Sequence, residues 1–307
     1  MAGERIAGWL LCAAFVLPAW LQVGIAKDTA TAPKVEASTL ITGRVTIELD
    51  GTVSDWTVDQ REKLPGAVTK VIDAAAPGWR FEPIIIEGKP VRGSARMSLL
   101  MVAERLDGIE EERYRVSIRG GHFGRDAVQR LAQVEGQRPS RHEPPDDQVV
   151  AIRLRPPGYP GQALSIGVQG TVYLALRVGR SGRVEESMVE QVNLLAVASD
   201  RSMAYLRDLF AMSAIEAARR WTFRPPTRGE SVDDDNWTVR VPVDYRLGGQ
   251  AAREYGHWEA YVPGPRNRIP WRVDSPEGAD IRPDTLVAGQ VYQIGTDLRL
   301  LSPLEGG

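Results

Sequence analysis

The chain has 307 residues, 43% of them apolar and 25% charged, which predicts about two ordinary globular domains. Lys and Arg total 38 against 40 Asp and Glu, a net charge of −2, so the basic footprint of a nucleic-acid binder is missing. One cysteine and three widely separated histidines argue against a thiolate zinc site, an iron–sulfur cluster, a disulfide scaffold and a cysteine-nucleophile enzyme.

At the amino terminus, Ile6 to Leu17 is almost wholly apolar, follows Arg5, and leads to the small residues Gly24 and Ala26 ahead of Lys27. This order of charge, apolar core and small-residue exit is that of an export signal, so residues 1–26 are read as a signal peptide cleaved after Ala26. The alternative is a retained membrane anchor, since the run to Ala26 is long enough to cross a bilayer. Cys12 follows Leu11 and not a small residue, so lipoprotein processing is not expected.

The next stretch alternates. Ile41, Val45, Ile47 and Leu49 fall on one face and Arg44, Thr46 and Glu48 on the other, the pattern of a half-buried strand. Asp50-Gly51 predicts a tight turn, and a second strand follows over Val53 to Val58. Leu64, Val68, Val71, Ile72 and Ala75 then step at helical spacing, between Pro65 and the stop Pro77-Gly78. Trp79-Arg-Phe81-Glu-Pro83 leads into an alternating run that ends at Met101.

The same order returns later in the chain. Val172, Leu174, Leu176 and Val178 share a face, Ser181-Gly182 predicts a turn, and a strand follows over Val184 to Val192. Met203, Leu206, Phe210, Ala214, Ala217 and Trp221 form one helical stripe, with Asp200 as the expected N-cap. Trp221-Thr-Phe223-Arg-Pro225 follows, then a strand with Trp237, Val239, Val241, Val243, Tyr245 and Leu247 on one face. Pro242 has no backbone donor, so this last strand is expected at a sheet edge. The fold class is therefore α+β: two β-β-α-β units, each a small antiparallel sheet with one helix packed on a face.

Six motifs occur here in a fixed order: Pro157-Gly-Tyr159-Pro160, Gly170-x-Val172, Gly182-x-Val184, the helix end at Ala214 to Ala218, Trp221-x-Phe223-x-Pro225 and Val241-Pro242-Val243. In these the chain resembles the carboxy-terminal domain of TonB, the energy transducer of the Gram-negative envelope. The resemblance covers residues 156–248. Residues 39–103 resemble a degenerate copy without the Tyr-Pro element, residues 104–155 read as a connecting region and linker, and residues 249–307 as a carboxy-terminal extension.

The resemblance implies a periplasmic, non-catalytic module that grips envelope proteins by strand pairing, TonB-dependent outer-membrane receptors among them. It needs no cofactor and no metal. The implied partner-binding residues are Tyr159, Pro160, Val239, Arg240, Val241, Val243 and Tyr245, along an edge running from Trp237 to Leu247. An edge strand supports the same reading directly, because its unpaired backbone groups can be satisfied by an incoming extended peptide. A retained anchor would instead imply an inner-membrane energy transducer working with ExbB- and ExbD-like motor proteins. The apolar segment holds no histidine for such coupling, and the spacer Lys27 to Ser38 reaches at most about 43 Å.

The remaining features read as ordinary structure. Asp233-Asp234-Asp235 lacks calcium-loop spacing and is expected as a solvated hairpin tip. Gly120-Gly121-His122-Phe-Gly124 reads as a turn, since no phosphate-loop pattern accompanies it. Arg138 to Asp147 mixes Pro and charge and reads as a linker. No His-Glu-x-x-His or Gly-x-Ser-x-Gly motif is present. In the extension, Leu286 to Tyr292 and Leu298 to Leu301 are expected as short strands that cap a sheet edge or bind a partner.

Overall fold

The computed structural model describes residues 35–86, 88–105, 114–124, 146–247, 255–272 and 281–305. Residues 1–26, expected as an export signal or anchor, with Cys12 among them, and residues 138–145 of the expected linker lie outside the described residues. Among the described residues, no helix is long and apolar enough to cross a membrane.

The first half opens with strand β1 (Glu36–Ile47), which turns at Gly51 into β2 (Val53–Val58). The turn is fixed by Asp50, whose carboxylate accepts from the Thr52 amide at 3.0 Å and the Thr52 hydroxyl at 2.7 Å. Helix α1 (Gly66–Ala75) buries Val68, Ile72 and Ala75. The short strands β3 (Ile85–Ile86) and β4 (Lys89–Pro90) form a hairpin before β5 (Gly93–Arg105) and β6 (Tyr114–Gly124). The second half contains β7 (Val150–Arg153), α2 (Gly161–Ser165), β8 (Gly170–Gly179) and β9 (Val184–Leu194). Helix α3 (Asp200–Ala218), β10 (Thr222–Arg224) and β11 (Asn236–Tyr245) follow, and the extension adds β12 (Glu259–Tyr261) and β13 (Tyr292–Gln293). The N-cap of α3 is Ser199 and not Asp200: the Ser199 hydroxyl accepts from the Ser202 amide at 3.3 Å, and Asp200 is the first helical residue.

The fold is mixed α+β with antiparallel sheets. One sheet has the order β12-β1-β5-β6, with β2 also paired to β1; the other has the order β13-β11-β8-β9. A further two-stranded pair joins β7 to β10. Ile41, Val45, Met97, Leu99, Ile118 and Phe123 pack with α1 into one apolar core. Val172, Leu174, Leu176, Val239 and Val241 pack with α3 into another. The described residues belong to one compact unit.

Two strands run through the stretch expected to be a connection, namely β6 and β7. Gly120 and Gly121, expected in a turn, lie within β6. They are glycines because other segments press on the strand: a Cβ at Gly120 would sit 2.9 Å from Thr285 Cγ2, and one at Gly121 would sit 3.0 Å from Leu304 Cδ2.

The half-buried pattern expected of β8 is also exceeded, since both faces of that strand are covered. Tyr173 and Ala175 point away from α3, yet both are buried, as are Ser98, Leu100 and Val102 on the corresponding face of β5. These helix-free faces turn toward each other with the extension between them. Leu40 and Thr42 line a small cleft of about 200 Å³ together with Thr171, Tyr173, Asp244 and Leu286. The Ser98 hydroxyl donates to the Thr285 carbonyl at 2.5 Å, and the Trp271 indole donates to the Thr238 hydroxyl at 3.1 Å. The extension therefore serves as interior filling as well as an edge cover.

Candidate strand-addition site

Strand β11 is the element on which the expected binding residues converge. Val239, Val241, Val243 and Tyr245 are buried in the α3 core, and Arg240 is buried on the other face. Their side chains hold the strand in place, so any contribution to strand addition comes from their backbone. Tyr159 and Pro160 lie apart from the edge. The Tyr159 hydroxyl donates to the Val168 carbonyl at 2.5 Å, and its ring packs edge-on to Phe210 and Tyr245 at 5.8 and 5.6 Å. Pro160 occupies the N-cap position of α2. Both therefore brace the ground on which β11 rests.

The open edge expected at β11 is a correction: β13 and its neighbours already lie along part of it. Val239 pairs with Gln293 and Arg240 with Tyr292. The Ile294 amide donates to the Thr238 carbonyl at 2.9 Å, and the Gly289 amide donates to the Pro242 carbonyl at 3.0 Å. Period-two alternation reveals which side chains share a face but not what lies beside a strand, so the cover was invisible in it. Pro242 fits this geometry. Its ring nitrogen faces away from β8, where it has no hydrogen bond to lose, and only its carbonyl is used by the cover. The short strands expected over 286–292 and 298–301 do not form as read: 286–291 is bend and turn, with only Tyr292 entering β13, and 298–301 is reduced to a single bridge between Leu300 and Phe81.

Charges tie the extension down. Glu190 on β9 is buried and accepts from Arg240 at 2.7 and 3.0 Å and from Arg266 at 2.9 Å. Arg246, just past β11, forms a two-pronged pair with Glu259 at 2.9 and 3.1 Å. Along the outer edge of β9, Val262 exchanges two backbone bonds with Leu194, at 2.8 and 3.1 Å. The sequence reading missed Glu190 and Arg266; the signal available was a lone carboxylate inside a strand ladder.

A wider cleft of about 580 Å³ lies between β1, β5 and the extension, lined by Arg44, Arg96, His122, Tyr255, Tyr292 and Asp297. His122 Nε2 is 2.8 Å from Asp297 Oδ1, and its ring packs edge-on to Tyr292 at 4.8 Å. Among the described residues, no three His, Cys, Asp or Glu side chains gather in a way that could hold a metal. Asp235 pairs with Arg180 at 3.4 Å on an exposed turn.

Burial pushes the Tyr245 phenol up to about 12. Its hydroxyl donates to the Phe210 carbonyl at 3.2 Å. Because the folded value lies above the unfolded value of about 10, stability is intact below about pH 10 and declines as pH rises toward the folded value. Tyr245→Phe is expected to remove part of that decline, as read by urea unfolding between about pH 8 and 11.

These features define a class: small antiparallel sheets on single helices, with strand edges lined by short segments of the same chain. No protein-family model matches the chain. TonB2 of Pseudomonas aeruginosa is 33% identical over 91 residues, covering 30% of this chain and 28% of that protein. TonB of Xanthomonas campestris pv. campestris is 37% identical over 95 residues, covering 31% and 36%. The solution NMR structure of the Pseudomonas aeruginosa TonB CTD matches with a TM-score of 0.22 and 20% identity, over 34% of this chain and 91% of that one. The chain thus spans between 28% and 36% of the length of these curated relatives. Over about 30% of its own length, it carries a TonB C-terminal-like domain.

Proposed function

We propose that this protein is a non-catalytic, periplasmic binding module of the cell envelope that engages extended segments of envelope proteins by adding them to the edge of β11. Outer-membrane receptors of the TonB-dependent kind are the foremost partners under this reading. The single observation that carries it is the nature of the cover on β11. The edge is covered by a strand of only two residues, flanked by single bonds from Gly289 and Ile294, so an incoming strand has few main-chain bonds to replace. Strand addition at such an edge supplies main-chain hydrogen bonds for affinity. The domains follow the same logic: residues 39–103 and 156–248 act as two related β-β-α-β units, and residues 249–307 act as the cover.

The test places a photo-crosslinker in cells at Thr238 or Asp244, side chains that leave the α3 core. It is paired with Ile294→Pro, which deletes the amide that donates to Thr238. Adducts to envelope proteins are expected, and several-fold more of them in the proline variant. An absence of adducts in both backgrounds overturns the reading.

A further inference from the structure

Two grooves in this fold are built alike. In each, the extended segment after the helix places a buried tryptophan two residues before a buried phenylalanine, Trp79 and Phe81 in one and Trp221 and Phe223 in the other. On one side, each phenylalanine amide donates to a hairpin glycine at 2.8 Å: Phe81 to Gly51, Phe223 to Gly182. On the other side lies an antiparallel segment, with Leu300 opposite Phe81 and Ala151 opposite Phe223. Four residues further along, each segment offers a carbonyl to the indole: Trp79 Nε1 donates to Leu304 at 2.9 Å, and Trp221 Nε1 donates to Arg155 at 2.8 Å. The residue opposite each phenylalanine and the indole anchor four positions on are placed alike in both grooves, with a bulge between Thr222 and Phe223 in the second.

The occupants differ in origin. The Trp221 groove is filled by β7, from the same half of the chain, whereas Leu304 is 225 residues from Trp79. Chain order does not deliver that segment, so the groove must recognise it by its chemistry. Its backbone is read by Glu82, whose amide donates to Arg299 at 2.9 Å, and by Arg80, whose carbonyl accepts from Leu301 at 2.7 Å. Across the groove, the Phe123 carbonyl accepts from the Leu298 amide at 2.8 Å, and the Ile118 amide donates to Glu305 at 2.5 Å. Leu298, Leu300 and Leu304 pack on the α1 core, while Arg299 and Leu301 face solvent. The seat of Leu304 is open because Gly121 has no side chain.

We infer that the groove between the extended Trp79–Glu82 segment and β6 is an exchangeable binding site for extended protein segments, with Leu298–Glu305 as its internal occupant. The segments it fits carry leucine at two alternate positions and again four residues on. This surface is separate from the edge of β11, and it stands or falls independently of the strand-addition reading above.

The probe is a fluorescein-labelled peptide of residues 298–305, titrated by anisotropy into the full chain and into the full chain carrying Leu300→Asp and Leu304→Asp. The variant, whose groove is emptied, is expected to bind the peptide at least tenfold more tightly than the unaltered chain does. A peptide bearing the same two substitutions is expected not to bind. A folded variant that ignores the peptide overturns the inference. If the variant does not fold, amide hydrogen exchange on the unaltered chain decides. The Glu82 and Leu301 amides are then expected to exchange at least tenfold faster than the β1–β5 ladder. Equal rates would mean that the segment leaves only when the whole unit unfolds, and would overturn the inference.

Discussion

Glu190→Ala is expected to destabilise the protein by about 3–5 kcal/mol, the cost typical of breaking a buried ion pair from one side. Glu190 is 1% exposed and Arg240 is 4% exposed. The carboxylate takes two bonds from the Arg240 guanidinium and two, both to one oxygen, from Arg266. Removing it leaves the Arg240 cation in the interior without its main counter-charge, and desolvation of that cation is the dominant loss. For a chain of this size, the change corresponds to a midpoint lowered by about 6–20 °C. Glu190→Gln keeps the shape and one acceptor, so its cost should be smaller. Arg266→Ala should cost no more than about 1 kcal/mol, because Arg266 is one-third exposed and solvent screens its charge. Urea unfolding of the three variants gives this ranking directly. An Arg266→Ala loss equal to that of Glu190→Ala would show that the carboxylate acts mainly on the extension and not on β11. Faster hydrogen exchange at Asn267 in the Glu190→Ala variant is the accompanying local sign, since Asn267 donates to the Glu190 carbonyl at 2.8 Å.

The readable parts of this fold are those set by neighbours in sequence. The period-two faces of β1 and β11, the stripe of α3 and the glycine turns at Gly51 and Gly182 all follow from residues a few positions apart. What joins distant segments was not readable. Nothing in Tyr292-Gln293 names Val239 and Arg240 as partners, and nothing in Leu300 names Phe81. Two local signals were present all the same. The unbroken apolar run Val172-Tyr-Leu-Ala-Leu176 is the mark of a strand covered on both faces, and β8 is such a strand. Tyr114, Val116 and Ile118 alternate as β6 requires, but Gly120-Gly121 after them reads as a turn. The candidate site was legible to the same degree. The strand read over Trp237 to Leu247 forms as β11, and an extension capping a sheet edge was expected; which residues pair was not readable, because the contact spans a sequence distance over which patterns carry no register.

Gly182→Ala and Gly51→Ala are each expected to cost about 3–5 kcal/mol, at the upper end for single substitutions. Both glycines have positive φ, 72° at Gly182 and 84° at Gly51. An L-residue in that region loses about 1–2 kcal/mol. The larger loss is steric. A Cβ at Gly182 would lie 2.0 Å from the Phe223 carbonyl oxygen, and one at Gly51 would lie 2.0 Å from that of Phe81. Neither carbonyl can retreat freely, because each phenylalanine amide is bonded back to the glycine it would have to leave, at 2.8 Å. Relief therefore means breaking that bond and shifting a strand that carries a fully buried ring. Gly289→Ala separates the two effects. Its φ is 79°, but a Cβ there meets nothing within 4 Å, so it should show the backbone cost alone, about 1–2 kcal/mol. If all three variants lose the same amount in thermal melts, close approach contributes nothing and the explanation fails. The two hairpin variants should also differ in kind. Gly51→Ala displaces the segment around Phe81 and so should loosen Leu298–Glu305, raising exchange at the Leu301 amide. Gly182→Ala displaces the Phe223 strand, which holds β7, and should leave the Leu301 amide as it was.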